Sequence, residues 1–399
     1  MIALVERFVP RGWSLPSTAY LDKPLLLSVL ALISLGLVMV FSASVGFADY
    51  GYKDGFYFLK RHAAYLCISL CVALPLLWVP LHLWYRHAGL ALLGSIVLLV
   101  AVLLPGIGHE VNGSSRWLRA GPLTVQVSEL AKVAVVIFIA AYLQRRHLML
   151  REQWQDFAKP LAIMGLVAVL LLLEPDFGST MVIGATVMAM LFLAGVRLGQ
   201  FLALVVLGIA GVLVLIVTSP YRFERMTGFL DPWADQYQSG YQLTQSLIAF
   251  GRGEWWGVGL GNSVQKLFYL PEAHTDFIFA IFAEEFGLGG VLVMLALFIT
   301  LIARILMIGR AAADRQQWFV AYAVFGFAIM LAGQIFINLG VTSGLLPTKG
   351  LTLPFVSYGG SSLLISSVIV ALVLRAGMEG GQQARERLPP HPGDTGDGV

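Results

Sequence analysis

Ten apolar stretches, most of them about as long as a bilayer is thick, constrain this chain more than any other feature of its sequence. A hydrocarbon core of about 30 Å is crossed by roughly 20 helical residues, and only helices or closed barrels bond every backbone group there. The chain has 399 residues, of which 58% are hydrophobic and only 12% are charged. We therefore predict an all-α polytopic membrane protein with ten transmembrane helices. The predicted spans are residues 25–45, 62–79, 87–105, 127–143, 160–174, 178–195, 199–218, 276–306, 318–342 and 354–376.

The distribution of basic residues predicts the orientation. Short cytoplasmic loops carry an excess of Lys and Arg, and fifteen of the 26 such residues fall in the termini, in the loops on the same side as the termini, or at the ends of the spans that reach that side. This favours both termini inside the cell. It predicts a cytoplasmic segment 1–24, a membrane domain 25–376 and a disordered cytoplasmic tail 377–399 that is rich in Pro and Gly at its end. The net charge of +3 is scattered, and no basic tract favours binding to nucleic acid.

The longest connection, residues 219–275 between the seventh and eighth spans, is extracytoplasmic in this orientation. Loops beyond about 12–15 residues without their own structure are uncommon in compact proteins. Leu243, Leu247 and Phe250 recur at helical spacing and Gly251 follows them, which predicts a short amphipathic helix that starts at Tyr241. We expect the loop to be structured and to cover a cavity between the helices at the outer membrane surface.

A carboxylate, Asp276, stands where this loop meets the eighth span. Local preference alone favours a helix cap at this position. The alternative is a functional group, since a carboxylate at the mouth of an apolar helix costs desolvation energy. The two roles are compatible, because a helix terminus would hold a functional carboxylate rigidly.

Charges of both signs gather on the same predicted side of the membrane. Glu129 and Lys132 are spaced i, i+3 in the fourth span, so they share one helix face and are expected to point into the bundle. They form either a structural ion pair or part of a site. The other members of the cluster are Arg116, Arg119, Asp176, Glu272 and Asp276. This arrangement suits an anionic lipid headgroup beside an acid–base or cation-binding group.

Sequence motifs typical of several other catalytic sites are absent. No phosphate-binding GxxxxGK[ST] loop and no HExxH pattern occurs, and the seven histidines are spread over different segments. Residues 357–362 contain serines, but no Ser/His/Asp set accompanies them, and small residues there favour close helix packing.

A series of ordered motifs resembles the SEDS family of bacterial membrane proteins (shape, elongation, division and sporulation), and its division branch more than its elongation branch. The motifs are Ser115-Arg116-Trp117; Gln126, Ser128-Glu129 and Lys132; Pro175-Asp176; Ser239-Gly240-Tyr241-Gln242; Gly259-Leu260-Gly261; Pro271-Glu272 with His274-Thr275-Asp276-Phe277; Pro347-Thr348-Lys349-Gly350; and Ser357-Tyr358-Gly359-Gly360. Two positions depart from the family pattern. Val127 replaces a common proline, and Glu174 replaces a common glutamine.

The resemblance implies a peptidoglycan glycosyltransferase of the bacterial plasma membrane. Such an enzyme polymerises lipid II by β-1,4 transfer at the outer membrane face, releases undecaprenyl pyrophosphate, and works at the division septum. The implied partners are a class B penicillin-binding transpeptidase and other membrane proteins of the division machinery.

The family's key aspartate falls on Asp276, as the base toward the acceptor hydroxyl or as a ligand of a divalent cation, Mg²⁺ or Mn²⁺. Arg116 and Lys132 are the candidates for contact with the pyrophosphate, with Glu129 orienting Lys132. The full set of predicted substrate-binding residues is Arg116, Glu129, Lys132, Asp176, Gln242, Glu272, His274 and Lys349.

Two other classes of function are compatible with the sequence. Intramembrane charges also suit a flippase for the same lipid, although the charges cluster toward the outer end instead of the midplane. A scaffold that recruits a transpeptidase predicts that removal of charge at Asp276 and Lys132 has no effect. A structural role for Arg116 as a headgroup anchor is the main rival to its role in binding pyrophosphate.

Overall fold

A computed structural model describes residues 18–111, 114–121, 123–146, 154–234, 236–348 and 350–386. These residues form twelve α-helices and one small sheet. The helices are α1 (Lys23–Tyr52), α2 (Tyr57–Leu76), α3 (Leu81–Leu103), α4 (Val127–Arg146), α5 (Trp154–Leu173), α6 (Phe177–Leu193), α7 (Leu198–Val217), α8 (Pro220–Leu230), α9 (Tyr241–Gly253), α10 (Ile278–Asp314), α11 (Trp318–Thr342) and α12 (Gly360–Glu386). The strands are β1 (Gly108–Val111), β2 (Ser114–Ala120) and β3 (Leu123–Gln126).

Each of the ten predicted spans overlaps one of these helices. Within the described part of the chain, nine helices are long and apolar enough to cross a membrane, and α6 is a shorter apolar helix. The helical, polytopic fold predicted from hydropathy is therefore confirmed.

Three helices form the interior of the bundle. Most of α4, α11 and α12 is buried, whereas α7 buries none of its residues. Helix α11 packs against α4, α6 and α10, and α12 packs against α2. Because α4 and α11 lie at the centre, polar side chains on them are screened from lipid and must find partners inside the protein.

The last helix extends further than hydropathy indicates. A disordered tail was expected from residue 377, but α12 continues to Glu386. Met378 is buried, and Arg375 pairs with Glu379 at the i, i+4 spacing that stabilises a helix, with 2.6 Å between Nη2 and an Oε1 atom. The rest of the predicted tail, residues 387–399, lies outside the described residues.

A three-stranded antiparallel sheet, in the order β1-β2-β3, fills the connection between α3 and α4. Trp117 lies opposite Gln126, and Leu118 lies opposite Val125. Hydropathy did not predict these strands, since each is short and alternates too few residues to stand out. The sheet places Arg116 immediately beside the start of α4.

The long connection 219–275 has structure of its own, as predicted. It contains α9, which starts at Tyr241 as expected, and α8, which the sequence analysis did not identify. After α9 the chain runs back along the first turns of α10. The amides of Val258 and Gly259 donate to the carbonyls of Glu284 and Glu285, each over 3.0 Å.

Helix α10 contains a break near its start. Gly287 has φ 62° and ψ −167°, outside the helical region. A Cβ atom there would lie 2.4 Å from the Gly257 amide nitrogen. Only glycine therefore allows the loop and the broken helix to approach so closely.

Candidate active site

The segment from Thr348 to Thr352, between α11 and α12, joins several elements through its backbone carbonyls. Arg225 of α8 donates to the Thr348 carbonyl over 3.3 Å. Asn338 of α11 donates to the Leu351 carbonyl over 2.6 Å, and Gln334, one turn earlier, donates to the Thr352 carbonyl over 3.0 Å. Three side chains from two helices thus fix one irregular segment.

Asp276 lies directly against this segment. Its backbone carbonyl accepts a hydrogen bond from the side-chain Nδ2 of Asn338 over 2.8 Å. A Cβ atom at Gly350 would lie 2.8 Å from Asp276 Oδ2, closer than such atoms approach in proteins. Glycine at position 350 therefore leaves the room that the carboxylate occupies.

Asp276 does not cap α10. The helix begins at Ile278, the capping position is Phe277, and no side chain there bonds a free amide. The local prediction of a cap is therefore wrong, and the side chain is left available to the site.

The charges around Asp276 are mixed. Burial first, and then the negative charge of Glu272, raise the pKa of the Asp276 carboxyl to about 7, whereas the positive charges of Arg225 and Arg116 act in the opposite direction. Near neutral pH this carboxyl exchanges a proton readily, as a general base must.

Arg116, on β2, is oriented by the turn between α5 and α6. Its Nε donates to the Glu174 carbonyl over 2.8 Å, and its Nη2 donates to the Pro175 carbonyl over 2.6 Å. The guanidinium is half-buried and close enough to Asp276 to stabilise its charged form. These contacts favour a built site over a loose headgroup anchor.

Asp176 follows this turn and caps α6. Its Oδ1 accepts from the Ser179 amide over 3.1 Å, and its Oδ2 accepts from Gln126 Nε2 over 3.3 Å. The Gln126 amide group also donates to Ser128 Oγ over 3.0 Å. The carboxylate therefore ties the turn to the sheet and to the start of α4.

Glu174, beside Asp176, is buried without a partner. It is 1% exposed, and neither carboxylate oxygen has a hydrogen-bond partner among the described residues. Burial first, and then the charge of Asp176, raise the pKa of Glu174 to about 8 against the opposing effect of Arg116. The group is therefore uncharged at neutral pH.

Glu129 and Lys132 form the predicted pair. Lys132 Nζ lies 2.7 Å from Glu129 Oε1, and both side chains are almost fully buried in α4. The same Nζ donates to Gln334 Oε1 over 2.8 Å. Because Gln334 also bonds the Thr352 carbonyl, the pair supports the segment beside Asp276.

The other predicted residues take different places. Glu272 is exposed, its backbone has φ 56°, and Thr275 Oγ1 donates to its carboxylate over 2.6 Å. His274 lies among the rings of Phe47, Phe58 and Tyr358, with centroids 4.6–5.9 Å away. Burial lowers the pKa of His274 in spite of Glu272, so its ring is neutral.

Of the two remaining predicted residues, Gln242 is not joined to the site. Gln242 is half-buried in the first turn of α9, and none of the described hydrogen bonds links it to Asp276. Lys349 lies outside the described residues.

Sequence reasoning missed Arg225, Gln334 and Asn338 as site residues. Gln334 and Asn338 stand one turn apart in an otherwise apolar helix, and a polar pair in a span is a functional signal in its own right. Arg225 carried no such signal, because α8 was not identified.

The described residues contain no group of three or more His, Cys, Asp or Glu side chains that could hold a metal ion. Mg²⁺ is commonly bound through one or two carboxylates together with substrate phosphates. Asp276 is the residue that would hold such an ion, and the expected cation stays a prediction.

The fold and the site define a polytopic membrane protein with an ionisable centre at one end of its helix bundle. A family model described as a cell cycle protein of the FtsW/RodA/SpoVE type matches residues 23–381. The chain belongs to this family, which confirms the resemblance drawn from its motifs.

Relatives and solved structures agree with this assignment. A probable peptidoglycan glycosyltransferase FtsW from Saccharophagus degradans is 53% identical over 369 residues, 92% of this chain and 95% of that protein. Its counterpart from Hahella chejuensis is 54% identical over 93% of this chain and 94% of that protein.

Two solved structures have the same fold. A chain from a peptidoglycan synthase complex that coordinates polymerization and crosslinking has a TM-score of 0.73 at 29% identity, with 90% of this chain and 98% of that chain covered. The rod shape determining protein RodA from Thermus thermophilus has a TM-score of 0.66 at 29% identity, with 90% and 96% covered.

The state of Glu174 predicts a dependence of stability on pH. Its pKa is about 8 in the folded protein against a reference value of 4.5, so its contribution to stability is full below that reference value and is lost as pH rises through about 8. Glu174→Gln should therefore melt about 10 °C higher than wild type at about pH 9 and at nearly the same temperature at about pH 5. Thermal unfolding in detergent measures the melting temperature of each protein at both pH values. The exposed Glu224→Gln is the control, and an equal gain at both pH values would contradict the explanation.

Proposed function

We propose that this protein is a peptidoglycan glycosyltransferase that polymerises lipid II into glycan strands. One observation supports this most strongly. Asp276 is a carboxylate with a pKa of about 7 that lies within electrostatic reach of the positive charges of Arg116 and Arg225. A base beside cationic groups is what transfer from a sugar pyrophosphate to a sugar hydroxyl requires. The relatives named as peptidoglycan glycosyltransferases support the same function.

The proposed step forms one bond and breaks one. The acceptor 4-hydroxyl attacks the anomeric carbon of the α-linked donor from the face opposite the pyrophosphate, and a β-1,4 link results. Asp276 takes the hydroxyl proton, and the electron pair of the broken C–O bond leaves with undecaprenyl pyrophosphate. Arg116 and Arg225 stabilise the negative charge that develops on the leaving group.

Lys132 acts indirectly in this proposal. It is 1% exposed and already bonded to Glu129 and Gln334. Its role is to hold Gln334 against the Thr352 carbonyl. The sequence had suggested that Lys132 contacts the pyrophosphate, and this proposal replaces that role.

In the proposed orientation the site lies at the outer face of the plasma membrane. Asp276, Glu129 and Asp176 stand at the starts of α10, α4 and α6, and Asn338 lies toward the end of α11. Alternating spans bring these ends to one side, and the basic residues favour the opposite side as cytoplasmic. The proposed setting is the division septum, with a class B penicillin-binding transpeptidase and other division proteins as partners.

Loss of the Asp276 base should abolish polymerisation. Asp276→Asn keeps the shape of the side chain and removes its basicity, so the rate should fall by at least about 100-fold. The measurement is glycan formation from lipid II by protein purified with its transpeptidase. Asp54→Asn, an exposed carboxylate paired with Lys60, is the control and should retain the wild-type rate. A wild-type rate in Asp276→Asn, or lipid translocation without polymerisation by the wild type, would reject the proposal in favour of a scaffold or a flippase.

The pH dependence of the rate should report the charges around Asp276. The base is active when deprotonated, so kcat should rise as pH increases through about 7. Glu272 raises the pKa of Asp276, and Glu272→Gln should therefore shift the acidic limb of the profile to lower pH. Glu254→Gln, on an exposed residue of the same loop, should leave the limb in place. An upward shift or no shift in Glu272→Gln would contradict this assignment.

A further inference from the structure

Two adjacent buried carboxylates, Glu284 and Glu285, follow Asp276 by about two turns on α10. They are 0% and 1% exposed. Successive residues of a helix point in directions about 100° apart, so the two side chains meet different partners. Among the described residues, neither side chain is hydrogen-bonded to the site residues named above.

Glu285 joins three parts of the chain. Its Oε1 lies 2.7 Å from Lys266 Nζ, and its two oxygens accept from Ser42 Oγ of α1 over 2.7 and 2.9 Å. Lys266 Nζ also donates to Ser42 Oγ over 3.0 Å. Ser42, Lys266 and Glu285, here named the clasp, are all buried.

Glu284 fixes the chain just before the clasp. Its carboxylate accepts from Arg252 Nη1 over 2.8 Å and from Ser263 Oγ over 2.5 Å. It also accepts from the amides of Val264 and Gln265, over 3.1 and 3.3 Å. Residues 263–266 are therefore held by side chains against the first turns of α10.

The clasp closes a loop that contains Asp276. From Lys266 the chain turns, with the Leu270 amide bonded to the Gln265 carbonyl over 2.9 Å and the Phe277 amide bonded to the Glu272 carbonyl over 3.2 Å. It then passes Asp276 and enters α10, which carries Glu285. The distance that Asp276 can move is thus limited by the Lys266–Glu285 contact on one side and by Asn338 on the other.

A buried ion pair is a weak source of stability, because desolvation of both charges offsets much of their attraction. Its geometry is specific, however, since each partner is strongly disfavoured in any other position. Stability alone therefore explains the buried Lys266 poorly, and a positioning role explains it better.

We propose that the clasp of Ser42, Lys266 and Glu285 positions the Asp276 carboxylate for catalysis and makes that position depend on α1. This inference rests on the proposed function. The three residues do not touch substrate in this account. They act through the ten-residue stretch 267–276, so small displacements at the clasp are transmitted to the Asp276 carboxylate.

The test separates positioning from stability with a double variant. Glu285→Gln and Lys266→Met each leave one buried partner uncompensated, and each should lower the melting temperature and kcat. In the double variant no unpaired charge remains, so the melting temperature should recover. Its kcat should stay at least about tenfold below wild type with KM for lipid II within about twofold, because the loop has lost its fixed closure. A double variant that regains both stability and kcat would overturn the proposal.

Controls separate this outcome from general effects on α10. The pair Asp22–Arg304, 2.6 Å apart at the other end of the same helix, provides Asp22→Asn with Arg304→Met, which should leave kcat unchanged. Ser42→Ala keeps the ion pair and removes the hydrogen bonds to α1, so kcat should fall about threefold, with a smaller loss of melting temperature than in Glu285→Gln or Lys266→Met. If the double variant does not fold, an unchanged kcat in Ser42→Ala rejects the proposed dependence on α1. If wild-type protein forms no glycan, the proposed function fails and not the clasp alone.

Discussion

The backbone of residues 348–352 is the part of the structure on which the site depends. Its described residues have no regular secondary structure, Leu351 within it and Leu353 just after it are buried, and unpaired carbonyls in such surroundings would each cost several kcal/mol. Arg225, Asn338 and Gln334 donate to three of these carbonyls. Because each donor comes from a helix, satisfying the backbone also fixes the helices against one another. The same contacts set the wall against which the Asp276 carboxylate rests.

The electrostatic character of the site follows from this packing. Burial opposes the charge on Asp276, and Arg116 and Arg225 favour it, so the carboxyl titrates near neutral pH. Such a balance is typical of a general base, whose efficiency is greatest when its pKa is near the working pH. The buried Lys132 and Glu129 act on residues 348–352 indirectly, because Lys132 bonds Gln334 and Gln334 bonds the Thr352 carbonyl. In the proposed mechanism, buried charged groups thus hold in place the groups that would contact substrate.

Much of this could be predicted from the sequence, and the missing parts share a physical cause. Apolar length predicted the helices because a span must bury about 20 residues in lipid, and the i, i+3 spacing predicted the Glu129–Lys132 pair. Asp276 stood out because an acid at the mouth of a span is costly. In contrast, Arg225 and the acceptors of Asn338 and Gln334 depend on distant segments meeting in space. Glu284 and Glu285 were a signal that could have been used, since adjacent carboxylates in an apolar helix require partners.

The most direct test of the central claim changes the space beside the base and no chemical group of the site. Gly350→Ala introduces a methyl group that would lie 2.8 Å from Asp276 Oδ2, so the flexible carboxylate must move while the fold is retained. The measurement is steady-state polymerisation of lipid II, with thermal unfolding in parallel and Gly251→Ala, which has open space around it, as the control. The account predicts that kcat falls about tenfold or more with little change in KM or melting temperature. An unchanged kcat in Gly350→Ala would show that the position of Asp276 against residues 348–352 does not govern the reaction.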